Sequence, residues 1–520
     1  MPGYVPGVVD ISANPAHLQA FERTANDALA LLYNPALTLA GKLNAVRSDA
    51  AAQMFLPAGG VPYIHWDVLD LYSVGRRLAT FAGDVGRAFD ACDFDHDGVI
   101  DDGLMAFLPR LGNGEFTIVR DGGRVVIDTG DGNDEVTVEN VPGGIRVTVN
   151  GVSETLMGTE ADYVTLRLGA GDDRLEIGTG VNVHFTLEGQ VGDDALEGGA
   201  GDEVIRGGAG RDYIDGFSGN DELDGGADND VIYGGDGNDL VTGGTGIDYL
   251  EGGRGDDNLL GGADHDILSG GDGADRLDGQ GGDDTVYTGA GSDLTSDQFG
   301  NNTVYGQFDD QFNPVEGAAD TRTIFVDLSG VPGGASVHID DNVSPRFRQR
   351  MEQDLAMYRS SPEGRAMLNR LDQIHNSPAE GQQPYTVTIT EWPGNDNSGA
   401  RPGSIQQSRN IVDMYPGDYQ RQAGAIHWSE VPPSVVMFHE MAHNVDYGAN
   451  TLAPGTTPEG NLDINNRERV AVGLPIDHDG DPNTPMIIDP NHPTELTENA
   501  LRKEMGLPER TTYGPPLPPP

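Results

Sequence analysis

Residues His439, Glu440 and His443 stand in the order His-Glu-x-x-His. On a helix, two histidines four residues apart project from one face and together can hold one zinc ion (Zn2+), and the glutamate beside the first is placed to activate water at that metal. The residues ahead of the motif supply such a helix: Pro432 and Pro433 suit a first turn, and Val435, Val436, Met437 and Phe438 form an apolar run. A tetrahedral catalytic zinc needs a third protein ligand and an open position. Glu468, on a second predicted helix tens of residues downstream, is the preferred third ligand. Asp446, three residues after His443 on the same helix, is its competitor. His427 and His478 lie in polar loops and read as solvated side chains. Glu498 and Arg502 are four apart and read as a structural salt bridge.

Upstream lies the stretch that must carry this chemistry. From residue 189 to 296 the chain repeats every nine residues, twelve times in unbroken register, as Gly-Gly-x-Gly-x-Asp-x-apolar-x. The sixth position is Asp194, Glu203, Asp212, Asp221, Asp230, Asp239, Asp248, Asp257, Asp266, Asp275, Asp284 and Asp293. The eighth runs Leu196, Ile205, Ile214, Leu223, Ile232, Val241, Leu250, Leu259, Leu268, Leu277, Val286 and Thr295. Glycines allow the positive φ of tight turns, aspartates offer hard oxygen ligands, and the apolar column points inward from short strands. The pattern predicts a parallel β-roll holding calcium (Ca2+) between successive turns. It resembles the RTX nonapeptide β-roll, which implies calcium-dependent folding.

Composition bounds the rest. The 520 residues carry a net charge of −53, and the repeat block holds 26 acidic residues against 4 arginines, a net of −22. Without cations those carboxylates repel one another, and a chain this acidic is a poor partner for nucleic acid or an anionic membrane. The single cysteine, Cys92, excludes an intramolecular disulfide framework and a multi-thiolate zinc site. No run of about 18 apolar residues predicts a membrane span. The first residues lack a basic segment followed by an apolar one, so export by a non-classical route is expected. Extracellular calcium sites bind in the range of about 0.1–1 mM, which places folding of the roll outside the cell.

Residues 17–33, 37–54 and 68–89 carry apolar side chains at helical spacing. Within this region Asp93, Asp95, Asp97 and Asp101, with Gly98 at the sixth position, open an EF-hand-like calcium loop. Leu104 stands where a bidentate glutamate is expected, and an acidic helix-connecting turn is the other reading. Asp477, Asp479 and Asp481 pose the same pair of alternatives. Period-two patterning at 116–119, 124–127, 144–149 and 163–168 marks strands. Residues 130–134 and 169–173 look like degenerate repeats, as expected where a stack is capped. After residue 296 the register lapses into a Gly/Asn/Phe connector. A strand at 323–328, helices at 344–360 and 362–374 and a strand at 385–390 then begin a different domain. The polyproline tail reads as unfolded.

A second resemblance rests on residues 361–365, 439–443, 468–474 and 497–513: together they resemble the NleD-like effector zinc metallopeptidases. That resemblance implies a zinc endopeptidase acting on proteins, with His439 and His443 as ligands and Glu440 as general base, in a family with many effectors delivered into host cells. Arg510 and Tyr513 form the Arg-x-x-Tyr pair that clostridial neurotoxin light chains use near their metal. Aimed at the developing oxyanion, they would stabilise the tetrahedral intermediate; the other reading is a surface ion pair and a packed tyrosine.

The sequence therefore predicts a multidomain protein. Residues 1–112 form a helical N-terminal domain, 113–188 an irregular β-solenoid start and 189–304 the calcium β-roll. Residues 305–335 form a connector, 336–513 an α+β zincin metallopeptidase domain and 514–520 a disordered tail. The expected function is a secreted, calcium-stabilised zinc metalloendopeptidase, a toxin or effector acting on a protein or peptide substrate. The alternative is a calcium-dependent surface or binding protein with an inactive peptidase-like domain.

Overall fold

The nine-residue units alternate between two parallel sheets, so two units make one coil and each contact recurs every 18 residues. In the first sheet Ile205 pairs with Leu223, Leu223 with Val241, Val241 with Leu259 and Leu259 with Leu277. In the second Leu196 pairs with Ile214, and the series runs through Ile232, Leu250 and Leu268 to Val286. These side chains are no more than 1 % exposed and fill the space between the sheets. Glycine is required where coils stack backbone on backbone: a Cβ on Gly237, at φ +151°, would lie 1.5 Å from the Gly219 carbonyl oxygen.

This computed structural model describes residues 8–12, 116–121, 124–158, 162–296, 299–312, 321–328, 333–378, 383–392, 399–401, 404–408, 432–459, 462–476 and 486–511. The expected N-terminal helices, the loop at Asp93, Asp95, Asp97 and Asp101, His427, the Asp477–Asp481 cluster with His478, and Tyr513 lie outside them. The chain divides into two units. One takes in residues 9–110 and 117–125, of which 9–12, 117–121 and 124–125 are described, all strand. The other holds residues 1–8, 111–116 and 126–520, and 126–520 carry everything that follows.

The roll begins with an antiparallel meander of Glu135–Val141, Gly144–Val149 and Val152–Met157. Its first strand also pairs in parallel with Arg174–Ile177, which joins the meander to the stack. At the other end the stack runs past the repeats. Thr303–Gly306 pairs in parallel with Arg322–Phe325, so the stretch expected as a connector contributes strands to the roll. The strand expected to open the next domain is the last rung of this one, because Val304 and Thr323 continue the 18-residue ladder after an insertion.

The C-terminal domain is α+β. Its sheet runs in the order β1 (Val337–Ile339), β2 (Val387–Trp392), β4 (Ser404–Ser408), β3 (Gly399–Arg401), parallel except for the final β4/β3 pair. Against it pack α1 (Pro345–Ser360), α2 (Pro362–Asn376) and α3 (Pro433–Ala449). Ser344 and Ser361 cap α1 and α2, each accepting a backbone N–H three residues on, and each is followed by a proline. The hairpin β5 (Thr456–Glu459) and β6 (Leu462–Asn465) leads into α4 (Asn466–Val472), and α5 (Glu498–Glu504) completes the domain.

One core spans both parts. Tyr213, Val231, Tyr233, Tyr249, Ile267, Tyr287 and Tyr305, on the outer face of the second sheet, share a cluster with Phe347, Met351 and Tyr358 of α1 and Val435 and Phe438 of α3. Polar contacts fix the seam. The Arg346 guanidinium pairs with Glu197 at 3.1 Å and Asp215 at 3.1 Å. Tyr233 Oη donates to Asp354 Oδ1 at 3.1 Å, and Arg254 pairs with Glu352 at 2.6 Å.

Candidate functional site

Helix α3 is buried along most of its length, with Val435, Met437, Phe438, Met441 and Ala442 packed into the core. Its motif residues are set in that apolar surround: His439 is 7 % exposed, Glu440 7 % and His443 5 %. The two imidazoles lie on one face with ring centroids 4.8 Å apart and planes at 87°. Asn444 steadies the same turn, its Nδ2 donating to the Glu440 carbonyl at 3.2 Å while its Oδ1 accepts from Tyr385 Oη at 2.9 Å. At the start of the helix Tyr358 Oη donates to the Ser434 carbonyl.

Glu498, at the start of α5, reaches His439: its Oε2 lies 3.0 Å from Nδ1. Donation of Nδ1–H to the carboxylate leaves the lone pair on Nε2, the arrangement that prepares a histidine to bind a metal and fixes its ring. The same carboxylate takes Arg502 Nη1 on Oε1 at 3.2 Å and Arg510 Nη1 on Oε2 at 3.2 Å. Burial by itself would raise the Glu498 pKa. The His439 hydrogen bond, with the two guanidiniums, outweighs it and holds the carboxyl at about 2. Arg510 is locked further: its backbone N–H donates to Asn499 Oδ1 at 2.6 Å and its carbonyl accepts from Asn499 Nδ2 at 2.8 Å.

The structure thus brings together His439, His443, Glu440 and Arg510, and adds Glu498, whose i,i+4 pair with Arg502 gives no hint of the histidine 59 residues away. Asp446 is engaged elsewhere. Its Oδ1 meets His492 Nδ1 at 2.9 Å and Thr451 Oγ1 at 2.7 Å, and both Asp446 and His492 are buried. Glu468 sits on α4, whose Ala471 joins the same core as α3, and its side chain lies outside the described positions. Among the described residues no group of three His, Cys, Asp or Glu side chains is placed to hold a metal.

The second site is the aspartate column of the roll. From Asp212 on, each repeat aspartate accepts, through Oδ1, the backbone N–H of the residue 18 positions earlier: Asp194 N to Asp212 at 2.9 Å, Asp212 N to Asp230 at 2.8 Å, Asp248 N to Asp266 at 2.9 Å. The other oxygens of Asp194, Asp212, Asp221, Asp230, Asp239, Asp248, Asp257, Asp266, Asp275, Asp284 and Asp293 are buried with no hydrogen-bond partner. An anion stripped of water and left unpaired is costly, so burial pushes Asp212 up to about 8 and Asp221 to about 9. Through most of the column the orphaned oxygen sits by a glycine beside a backbone carbonyl: a Cβ on Gly225 would meet Asp230 Oδ2 at 2.3 Å and the Gly243 oxygen at 2.8 Å. Paired hard oxygens of this kind fit calcium.

The column is longer than the uniform repeats. Asp134 and Asp173, in the two degenerate segments, also carry orphaned oxygens, and Asp173 N donates to Asp194 Oδ1 at 2.8 Å. Glu203 keeps its place with Oε1 orphaned. Downstream, Asn302 Oδ1 accepts from Asp284 N at 2.7 Å.

Among the described residues no helix is long and apolar enough to cross a membrane. No curated protein and no solved structure matches the chain. Two family models do: the RTX calcium-binding nonapeptide repeat, in overlapping windows from 186 to 294, and Peptidase M91, described as an effector protein, over residues 335–513. The chain therefore joins a region that matches the RTX calcium-binding repeat, folded as a β-roll, to a region that matches the Peptidase M91 effector model.

Proposed function

We propose that the chain is a secreted, calcium-stabilised zinc metalloendopeptidase that cleaves a protein substrate, delivered as an effector or toxin. The observation that carries this reading is the histidine pair on one face of α3, with the Glu498 carboxylate on Nδ1 of His439. His439 and His443 would hold the zinc, with Glu468 as third ligand. Asp446 is the alternative: its Oδ1 is taken by His492 and Thr451, while its buried Oδ2 has no hydrogen-bond partner. Bound zinc would supply Lewis-acid polarisation of the scissile carbonyl and acidify water at the site.

The chain's own groups do the rest. Glu440, buried beside the histidines, takes a proton from the attacking water as its oxygen bonds to the carbonyl carbon, and returns a proton to the amine as the C–N bond breaks. Arg510 and Tyr513 are assigned to the developing oxyanion. Arg510 is fixed for this by Glu498 and Asn499. Glu498 is a positioning residue, holding the His439 ring and tautomer.

The test is proteolysis of an unstructured protein such as casein, with metal content measured on the same preparation. Glu440→Gln is expected to lower kcat by about 10²–10⁴ while zinc remains at one per chain. Retained proteolysis in that variant would overturn the mechanism. A parent protein that is fully folded in calcium, binds no zinc and cleaves nothing would instead favour a calcium-dependent binding protein.

A further inference from the structure

Helix α5 has seven residues, too few to be stable alone, so the pose of Glu498 depends on what α5 rests against. Its far end rests on the roll. His265 Nε2 lies 2.8 Å from the Met505 carbonyl. Gly506 follows at φ +75°, where a Cβ would come within 2.3 Å of that same nitrogen, so the imidazole is seated directly on the backbone. Tyr287 Oη donates to Glu504 Oε1 at 2.9 Å, and the other oxygen of Glu504 accepts the Glu363 N–H of α2 at 2.8 Å.

His265 lies in a turn of the aspartate column, and Tyr287 ends the strand Thr285–Tyr287 that leaves the corresponding turn one coil on. His265 immediately precedes Asp266, and Tyr287 follows Asp284 by three residues. Asp266 N donates to Asp284 Oδ1 at 2.9 Å, and both aspartates carry an orphaned buried Oδ2. Without cations the buried Oδ2 of Asp266 stays uncompensated in a block with a net charge of −22, 26 acidic residues against 4 arginines. Repulsion among those carboxylates then works against the backbone ladder that keeps His265 and Tyr287 in place.

We propose that calcium bound at the Asp266 and Asp284 turns sets the peptidase site, because His265 and Tyr287 hold α5 and, through it, Glu498 on His439. Calcium is on this account an input to catalysis as well as a condition of folding. The inference rests on the peptidase reading for its consequence, and on the α5 contacts for its mechanism.

The experiment uses the full chain. Hydrogen–deuterium exchange of peptides covering 498–506 and 433–449 is followed with zinc supplied throughout and calcium present or withheld. Withholding calcium is expected to deprotect 498–506; unchanged protection overturns the proposal. At saturating calcium, His265→Ala and the milder Tyr287→Phe are expected to raise exchange at 498–506. They should also lower kcat about tenfold with KM little changed, the scale of losing a ligand-orienting partner. The midpoint of calcium-induced roll folding should stay where it is. His265→Gln, which retains an N–H for the Met505 carbonyl, is expected to recover most of the loss. Variants with parental exchange and kcat overturn the coupling. Absence of proteolysis by the parent in saturating calcium and zinc overturns the peptidase reading instead, and leaves the exchange data to judge the coupling.

Discussion

The two sheets of the roll are made from the same nonapeptide and have opposite outer faces. Flanking the buried apolar column, the first sheet shows Arg206, Glu222, Leu240 and Arg276, all exposed. The second shows Tyr213, Tyr233, Tyr249, Ile267 and Tyr287, all buried under the C-terminal domain. Inside, where calcium turns and apolar residues do the folding, the two sheets are equivalent. A repeat thus fixes its scaffold with the glycine, aspartate and inward apolar positions and leaves the two outward positions free to specialise by alternate units.

That comparison is open to direct attack. The largest difference is expected from matched arginines. Arg346→Ala strands Glu197 and Asp215 as buried carboxylates and should cost about 3–5 kcal/mol. Arg206→Ala, which breaks an exposed 3.4 Å pair with Glu222, should cost no more than about 0.5 kcal/mol. Denaturant unfolding in saturating calcium measures both, and equal losses would mean that the two faces are energetically alike. Apolar truncation comes next: Ile267→Ala on the docked face should lose about 2–4 kcal/mol, against less than about 1 kcal/mol for Leu240→Ala on the open one.

The last effect is one of pH. Burial raises Asp354 from 3.8 to about 7, against the pull of the Arg350 charge and the Tyr233 hydrogen bond. A carboxyl whose folded pKa is raised adds stability in full below its unfolded pKa of 3.8, loses it as pH climbs and has none left above about 7. Asp354→Asn should therefore gain on the parent between those limits and then run parallel to it. Curves parallel throughout, recorded in saturating calcium, would show that Asp354 does not titrate at the seam.

Much of the architecture is written locally. The nine-residue period states the β-roll, and His439, Glu440 and His443 with their apolar approach state α3, because each signal lies within one element. The docked face is written too, at twice the period: tyrosines at 213, 233, 249, 287 and 305 fall in alternate units, a signal that disappears when all units are aligned on one template. Glu498 on His439 and His492 on Asp446 are different in kind. They join residues 59 and 46 positions apart, and only the packing of α5 and its approach onto α3 brings them together. Arg346 illustrates the same limit, since a lone arginine on a helix does not announce two carboxylates more than a hundred residues upstream.

The aspartate column also has a polarity. Every buried amide in it takes its acceptor from the coil after its own, as Asp257 N does from Asp275 and Asp275 N from Asp293. At the downstream end Asp284 N is closed by Asn302 and Asp293 N by Asp310 at 3.2 Å. Within this column, deletion from the upstream end uncovers carboxylate oxygens, which water or a cation can satisfy, and the amides it strands lie one residue on, as Tyr213 N does on losing the Asp194 carbonyl. Deletion from the downstream end orphans a buried N–H, at about 1–3 kcal/mol for each. The two cuts therefore strand different amides: that of the residue after the aspartate at an upstream cut, and that of the aspartate itself at a downstream one, on the side that runs into the C-terminal domain.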